Sequence, residues 1–360
     1  MLHSINLSAC TQHLGWVVQL QGDLLRALCD PAIAAGDVTV DWVKARRADI
    51  GPAWVERFCT WSKEKKSVLD RMRGVAGLPA VDKQSLVAHY ERNLRYPDAF
   101  NAALPAPPAT TPLKDRLSAN GATAFCDFFE LFYSPIFYRK KGYPIVAPDL
   151  NGKPFTKDRY LAACHAANPD MKVCPLCDGS MDGAELDHWL VQKHLPELNC
   201  HPQNLLEVCG ACNSRTNKGE KLAMDKVPAA PFDNWFHPHL RPAVGLFAVK
   251  IQHGKPTLVS DDPVIQGRLD SFNGLINLSK RWTDEYRNQC KRIEQRIRHH
   301  RRRGIAFDEK KLRAKLESWK TDAEGERGIG YYKLLETSLL SLSLLDRTDI
   351  FIEFLTYATE

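Results

Sequence analysis

The chain has 360 residues, 44% of them hydrophobic and 26% charged, with 49 Lys+Arg against 43 Asp+Glu. That much apolar content excludes a disordered chain and permits a sizeable core, and the length predicts two or three domains rather than one small module. Eleven cysteines, four of them in two CxxC pairs and the rest scattered, exclude a secreted disulfide framework and point to a metal site in a reducing compartment.

The N-terminus MLHSINLSAC lacks a basic stretch followed by an apolar run, so no signal peptide is expected. The best membrane candidate, LLETSLLSLSLL (334–345), is too short and carries a glutamate and serines. The expectation is a cytoplasmic protein without membrane contact.

In chain order, residues 1–102 are expected to be a helical region. LGWVVQLQGDLLRALC (14–29), AWVERFCTWSKEKKSVLDRM (53–72) and DKQSLVAHYERNL (82–94) space their apolar residues helically. The segment 103–113 contains ALPAPPATTP, with four prolines in ten residues, and is expected to be a linker. Residues 114–170 form a helical lead-in: the aromatic-rich 120–144 is assigned to core, and 156–169 to a helix that stops at a proline. A cysteine-rich module follows at 171–225. The C-terminal region, 226–360, contains an alternating stretch, LFAVKIQHGKPTLVS (246–260), that predicts a hairpin turning at HGKP. Helices follow to the end, one of them carrying KRIEQRIRHHRRRG (291–304).

The module holds most of the chemistry. Cys174 and Cys177 form one CxxC pair and Cys209 and Cys212 the other, with 31 residues between the pairs. Two residues between cysteines let a tight turn aim both sulfurs at one ion, and four thiolates fill the tetrahedron that Zn²⁺ accepts, which makes the site structural. Four buried free thiols and an iron–sulfur cluster are the competing readings. Cys200, between the pairs, is expected to be a spare buried thiol.

A zinc knuckle needs only cysteines and turns, yet this one also holds Asp187-His188, Asn204 and Asn213. Phosphodiester hydrolysis needs an activated water, a cation on the phosphate and help for the leaving oxygen. Imidazole titrates near neutrality, so His188 is suited to be the general base. Asp187 and Asn213 offer hard oxygens to a divalent cation, Mg²⁺ or Mn²⁺, that keeps open positions for phosphate. Strand neighbours face opposite ways, so Asp187 and His188 would address opposite sides of the phosphate. The Asn204 amide is expected to brace the loop that carries His188. Each residue alone reads more simply: an Asp-His pair as a polar turn, His194 and His201 as surface histidines, His237 and His239 as structural.

Together the residues resemble the HNH endonuclease family, in its four-cysteine zinc-containing branch. The resemblance lies in Cys174-Pro-Leu-Cys177, Leu186-Asp187-His188, Pro196 and Pro202, Asn204-Leu205, Cys209-Gly-Ala-Cys212-Asn213 and Lys218-Gly219, about 50 of 360 residues. It implies an α+β, mostly helical protein whose central ββα-metal module sits in a treble-clef zinc finger between helical regions. It further implies His188 as base, Asp187 and Asn213 as ligands of one divalent cation, and Asn204 as loop brace. One departure is plain: four residues separate Asn213 from Lys218 where the family usually has two, so either Arg215 or Lys218 could serve as the phosphate contact.

Residues 281–320 hold 14 Lys/Arg against 6 Asp/Glu, a concentrated positive segment. Arg292, Arg296 and Arg303, with Ile293 and Ile297 turned elsewhere, are the expected phosphate contacts against the plainer reading of a solvated helix face. The expected function is metal-dependent hydrolysis of DNA, with RNA the lesser substrate, as the effector of a restriction or antiviral system. A protein partner is expected on the helical N-terminal region. The alternative is a non-catalytic, zinc-dependent nucleic-acid-binding or adaptor protein.

Overall fold

The structure is a computed structural model that describes residues 3–8, 10–100, 113–139, 141–227, 230–345 and 348–359. The expected 103–113 linker lies outside the described residues except for Leu113, which opens a 3-10 turn, Leu113–Asp115.

The N-terminal region is helical. α1 (Thr11–Leu28) buries Leu14, Val17, Leu20, Leu24, Leu25 and Leu28 along one stripe. α2 (Val40–Arg46) is capped by Thr39, whose hydroxyl accepts from Trp42 N at 3.1 Å. The single helical run expected over 53–72 is in fact two helices. α3 (Pro52–Thr60) ends before a small hairpin of β1 (Ser62–Lys63) and β2 (Lys66–Ser67), and α4 (Val68–Ala76) begins directly after it. Glu64 and Lys65 take positive φ in the turn, and Ser67 and Asp70 form a reciprocal capping box that starts α4. The local turn and cap outweigh the helical spacing.

α5 (Ala80–Leu94) and α6 (Ala119–Leu131) complete this layer, and the chain continues from α6 into a π-helical stretch over Phe132–Tyr138 that contains Pro135. A buried aromatic cluster fills the interior, with Phe125, Phe128, Phe129, Phe132 and Phe137 all fully enclosed. After a 3-10 turn, Pro148–Leu150, α7 (Lys157–Ala167) leads to the cysteine module.

In the module, β3 (Glu185–His188) pairs antiparallel with β4 (Leu205–Val208), matching Asp187 to Leu206 and His188 to Leu205. A short α8 (Gly210–Asn213) follows at once. The expected hairpin forms from β5 (Ala248–Gln252) and β6 (Lys255–Val259), with His253 and Gly254 both at positive φ in its two-residue turn. The remainder is helical: α9 (Pro263–Ile276), α10 (Leu278–Arg302), α11 (Glu309–Gly325), α12 (Lys333–Leu344) and α13 (Asp349–Thr359).

The fold is therefore α+β and mostly helical, with only two-stranded sheets among the described residues. Its apolar interior has three parts. One joins α1, α3 to α6 and the segment to Tyr160, and reaches Leu186 and Leu205 of the module. A second surrounds the cysteines with Trp189, Phe232, Trp235 and Trp282, and the third lies among α10 to α13. Among the described residues no helix is long and apolar enough to cross a membrane.

Phe129 is fully enclosed, lies parallel to Tyr90 at 5.4 Å and meets Phe125 and Phe128. Phe129→Ala should cost about 3–5 kcal/mol in urea unfolding through the cavity it leaves, whereas Val81→Ala on the exposed face of α5 should stay within about 0.5 kcal/mol.

Candidate metal centre and active site

The two CxxC turns meet. Cys174, Cys177, Cys209 and Cys212 are buried, and their sulfurs all lie within 4.8 Å of one another. The Cys174–Cys212 and Cys177–Cys209 sulfur distances are 3.8 and 3.7 Å. A tetrahedron with metal–sulfur bonds of about 2.3 Å has edges of roughly 3.8 Å, so the thiols stand where four zinc ligands belong and much too far apart for disulfides. In the ion-free cluster the four thiols hydrogen-bond to one another, which lowers Cys177 and Cys209 while Cys174 and Cys212 are raised, so only part of the set parts readily with its protons before a metal enters.

The surroundings support the cluster. The Arg281 guanidinium donates to Cys212 Sγ at 3.2 Å and Cys177 Sγ at 3.3 Å, and Trp282 Nε1 donates to the Cys177 carbonyl at 3.0 Å. A four-thiolate zinc site carries two negative charges, and a cation bonded to its sulfurs offsets part of them.

His188 closes β3. Its Nε2 lies 3.0 Å from the carbonyl oxygen of Asn199, and the edge of its ring meets Tyr133 at 4.5 Å. A carbonyl can only accept, so Nε2 carries the proton and Nδ1 keeps the lone pair. Burial holds the His188 pKa down to about 4, so the ring is neutral at physiological pH.

The Asn199 side chain fixes this arrangement from behind. Its Oδ1 accepts from Gln21 of α1 at 3.0 Å and its Nδ2 donates to the Phe129 carbonyl of α6 at 2.5 Å. Asn204 occupies the bracing position expected of it: its Oδ1 accepts from Leu190 N at 2.6 Å, and its Nδ2 donates to the carbonyls of Leu190 and Leu198, both at 3.0 Å. The loop between β3 and β4 is thus tied at Leu190 and Leu198 by three hydrogen bonds of one buried amide.

Each of the two expected cation ligands is engaged by another side chain. Asp187, 7% exposed, is ion-paired to Lys218, itself 1% exposed, and the same ammonium also donates to the His188 carbonyl. Burial favours the neutral form of both groups and their mutual attraction opposes it. The Asn213 amide instead donates to Glu185 at 2.6 Å. With Asp187 and Asn213 each satisfied by another partner, this arrangement does not fit a single Mg²⁺ or Mn²⁺ held by the two. Glu185, two residues before Asp187 on the same face of β3, is an additional oxygen donor that the motif does not include.

Lys218 also corrects its expected role as a phosphate contact, because a buried lysine bonded to a carboxylate is not presented to a solvent-borne phosphate. Arg215 is exposed and remains available. Arg292 and Arg296 line a cleft of about 940 Å³ with His299, Arg302, Trp319 and Lys333. Arg303 does not join them: it caps the C-terminal end of α10, outside that lining. Most of the cations in the cleft are already paired: Glu336 accepts from Arg296 at 2.7 Å and Lys333 at 2.8 Å, Glu285 from Arg292 at 3.2 Å and Glu326 from Lys333 at 2.7 Å.

His237 and His239 are structural, the first fully buried and accepting from the backbone of His239 and Leu240. Cys200 is a free thiol buried against the N-terminal core. The chain matches no protein-family model, no curated protein and no solved structure.

Cys209→Ser should lower zinc content by one ion per chain, measured by mass spectrometry of the dialysed protein, and should melt the module at lower temperature. His188 gives a pH dependence. Its folded pKa lies below the ordinary 6.5, so the unfolded chain takes up the proton first as pH falls. The stability it contributes is complete above 6.5 and is lost toward about 4, on the order of 3 kcal/mol in all. Unfolding curves at pH 7.5 and 5 should show the larger part of this loss, about 2 kcal/mol, in the wild type and a smaller one in His188→Gln.

Proposed function

We propose that the chain is an HNH-type endonuclease that hydrolyses phosphodiester bonds of DNA, with His188 as general base. The observation that supports this most is the placement of His188: fixed as one tautomer by the Asn199 carbonyl and set beside Asp187 on the strand that leads out of the four-cysteine knuckle. Nδ1 takes a proton from water, the water oxygen bonds to phosphorus, and the P–O bond to the leaving nucleotide breaks. The departing oxygen is protonated from solvent.

A divalent cation, when bound, supplies charge neutralisation on the phosphate. Its requirement rests on the resemblance, because Lys218 and Glu185 hold the residues that would bind it. Arg215 and the Arg292–Arg296 cleft supply cationic groups for the nucleic-acid backbone, and binding there should weaken steeply with salt.

The enclosure of Asp187 by Lys218 favours a second reading, a zinc-dependent nucleic-acid-binding or adaptor protein without catalysis. Cleavage of supercoiled plasmid distinguishes the two. With Mg²⁺ or Mn²⁺ the wild type should nick or linearise the plasmid, EDTA should stop it, and His188→Ala should lower the rate by at least about 10²-fold, the usual worth of a general base. Equal cutting by His188→Ala would remove the base assignment. Tight, salt-sensitive DNA binding with no cutting by either protein would establish the second reading.

A further inference from the structure

Far from the knuckle in sequence, the first turn of α1 meets the 3-10 turn at Pro148–Leu150. Cys10 is the N-cap of α1 and His13 lies one turn on, so the two side chains share a helix face. Both are buried, and both are directed at Asp149, whose side chain is 42% exposed. His13 Nε2 is 2.9 Å from Asp149 Oδ2 and 3.1 Å from Oδ1, and Cys10 Sγ is 3.7 Å from the same Oδ2. The three ligand atoms all lie within 4.8 Å of one another.

From this geometry we infer that Cys10, His13 and Asp149 form a second transition-metal site, of a class suited to Zn²⁺, separate from the four-cysteine knuckle. The spacing is the first ground. With metal–sulfur bonds of about 2.3 Å and metal–nitrogen and metal–oxygen bonds of about 2.0–2.2 Å, tetrahedral ligand atoms sit roughly 3.3–3.6 Å apart. Two of the three separations, 3.7 and 2.9 Å, bracket that range, and the thiol-to-imidazole one is within 4.8 Å.

The donor set is the second ground. One sulfur, one imidazole nitrogen and one carboxylate oxygen suit a borderline-soft ion and are poor for Mg²⁺ or Ca²⁺, which take oxygen ligands. Without an ion the Cys10 thiol donates to Asp149 Oδ2 at 3.7 Å, so binding would replace that hydrogen bond and the His13–Asp149 contact with metal–ligand bonds.

Two ligands are enclosed and the third faces solvent, so a water completes the fourth position from the Asp149 side. Binding displaces the Cys10 thiol proton to solvent and leaves a thiolate on the metal. The rest of the local structure is already fixed. His13 meets the edge of Phe155 at 5.3 Å, and Leu150 is buried next to Asp149. The ion would therefore clamp the start of α1 to the turn that precedes α7, two segments about 140 residues apart in the chain.

The test is a count of zinc on the full chain, prepared with zinc and dialysed free of excess. Cys10→Ser and Asp149→Asn should each hold one ion per chain fewer than the wild type, while Cys209→Ser loses the other ion. Asp149→Asn changes a half-exposed group, so its folding, followed by circular dichroism, should be retained even if Cys10→Ser is destabilised. In cobalt-substituted Cys209→Ser that holds one ion per chain, a thiolate-to-metal band that disappears on adding Cys10→Ser would identify the sulfur, and a band unchanged by it would overturn the assignment. Equal zinc content in wild type, Cys10→Ser and Asp149→Asn overturns the site. The count does not depend on cleavage, so it stands or falls apart from the assignment of His188.

Discussion

The cysteine module is made of two four-residue strands and a single helical turn, too little to enclose a core of its own. What holds it is the convergence of four sulfurs at tetrahedral spacing. That convergence closes the loop from Cys177 to Cys209 and so sets where β3 and β4 begin and end. Everything chemical in the module depends on it. Asp187 and His188 sit at the far end of β3 from the first cysteine pair, and Asn213 follows the last cysteine directly. α10 covers the cluster with Arg281 and Trp282, so the metal centre is also where the C-terminal helices attach.

A second constraint runs from the other side. The His188 imidazole is held by a carbonyl of the β3–β4 loop, and the residue supplying it, Asn199, is bonded through its side chain to α1 and α6. Tyr133, in the π-helical stretch after α6, closes over the ring. The N-terminal helices are thus a wall of the candidate site as well as a separate apolar layer. Their burial of His188 accounts for its depressed pKa.

The parts legible in the sequence were those set by local spacing. Two CxxC pairs announce a knuckle because the chemistry of a tetrahedral ion demands that spacing, and the His253-Gly254 hairpin is marked by turn residues between alternating apolar ones. Asn204 could be recognised as a brace because its position between Asp187-His188 and the second cysteine pair puts it at a loop end. Lys218, Asn199 and Arg281 could not be assigned from spacing. Each acts on a partner 11 to 104 residues away, a relation that only the tertiary fold creates. The reading of 53–72 as one helical run failed for the opposite reason: a signal as local as Ser67-x-x-Asp70 was outweighed by apolar spacing that continued across a turn. Arg303 was grouped with Arg292 and Arg296 on helical spacing, but it falls at the helix end, where that spacing no longer places it in the cleft.

The bond network around Asn199 has a bearing on the order of assembly. During synthesis α1, α5 and α6 leave the ribosome before the first of the four zinc-ligating cysteines, and N-terminal segments generally fold first. The β3–β4 loop is therefore made after the surface that will receive it. Gln21 and the Phe129 carbonyl belong to that earlier-made surface, and the loop is bonded to both through Asn199. A chain that ends before Asn199 lacks the carbonyl that orients the His188 imidazole, so that orientation depends on a residue made after the helices it docks on.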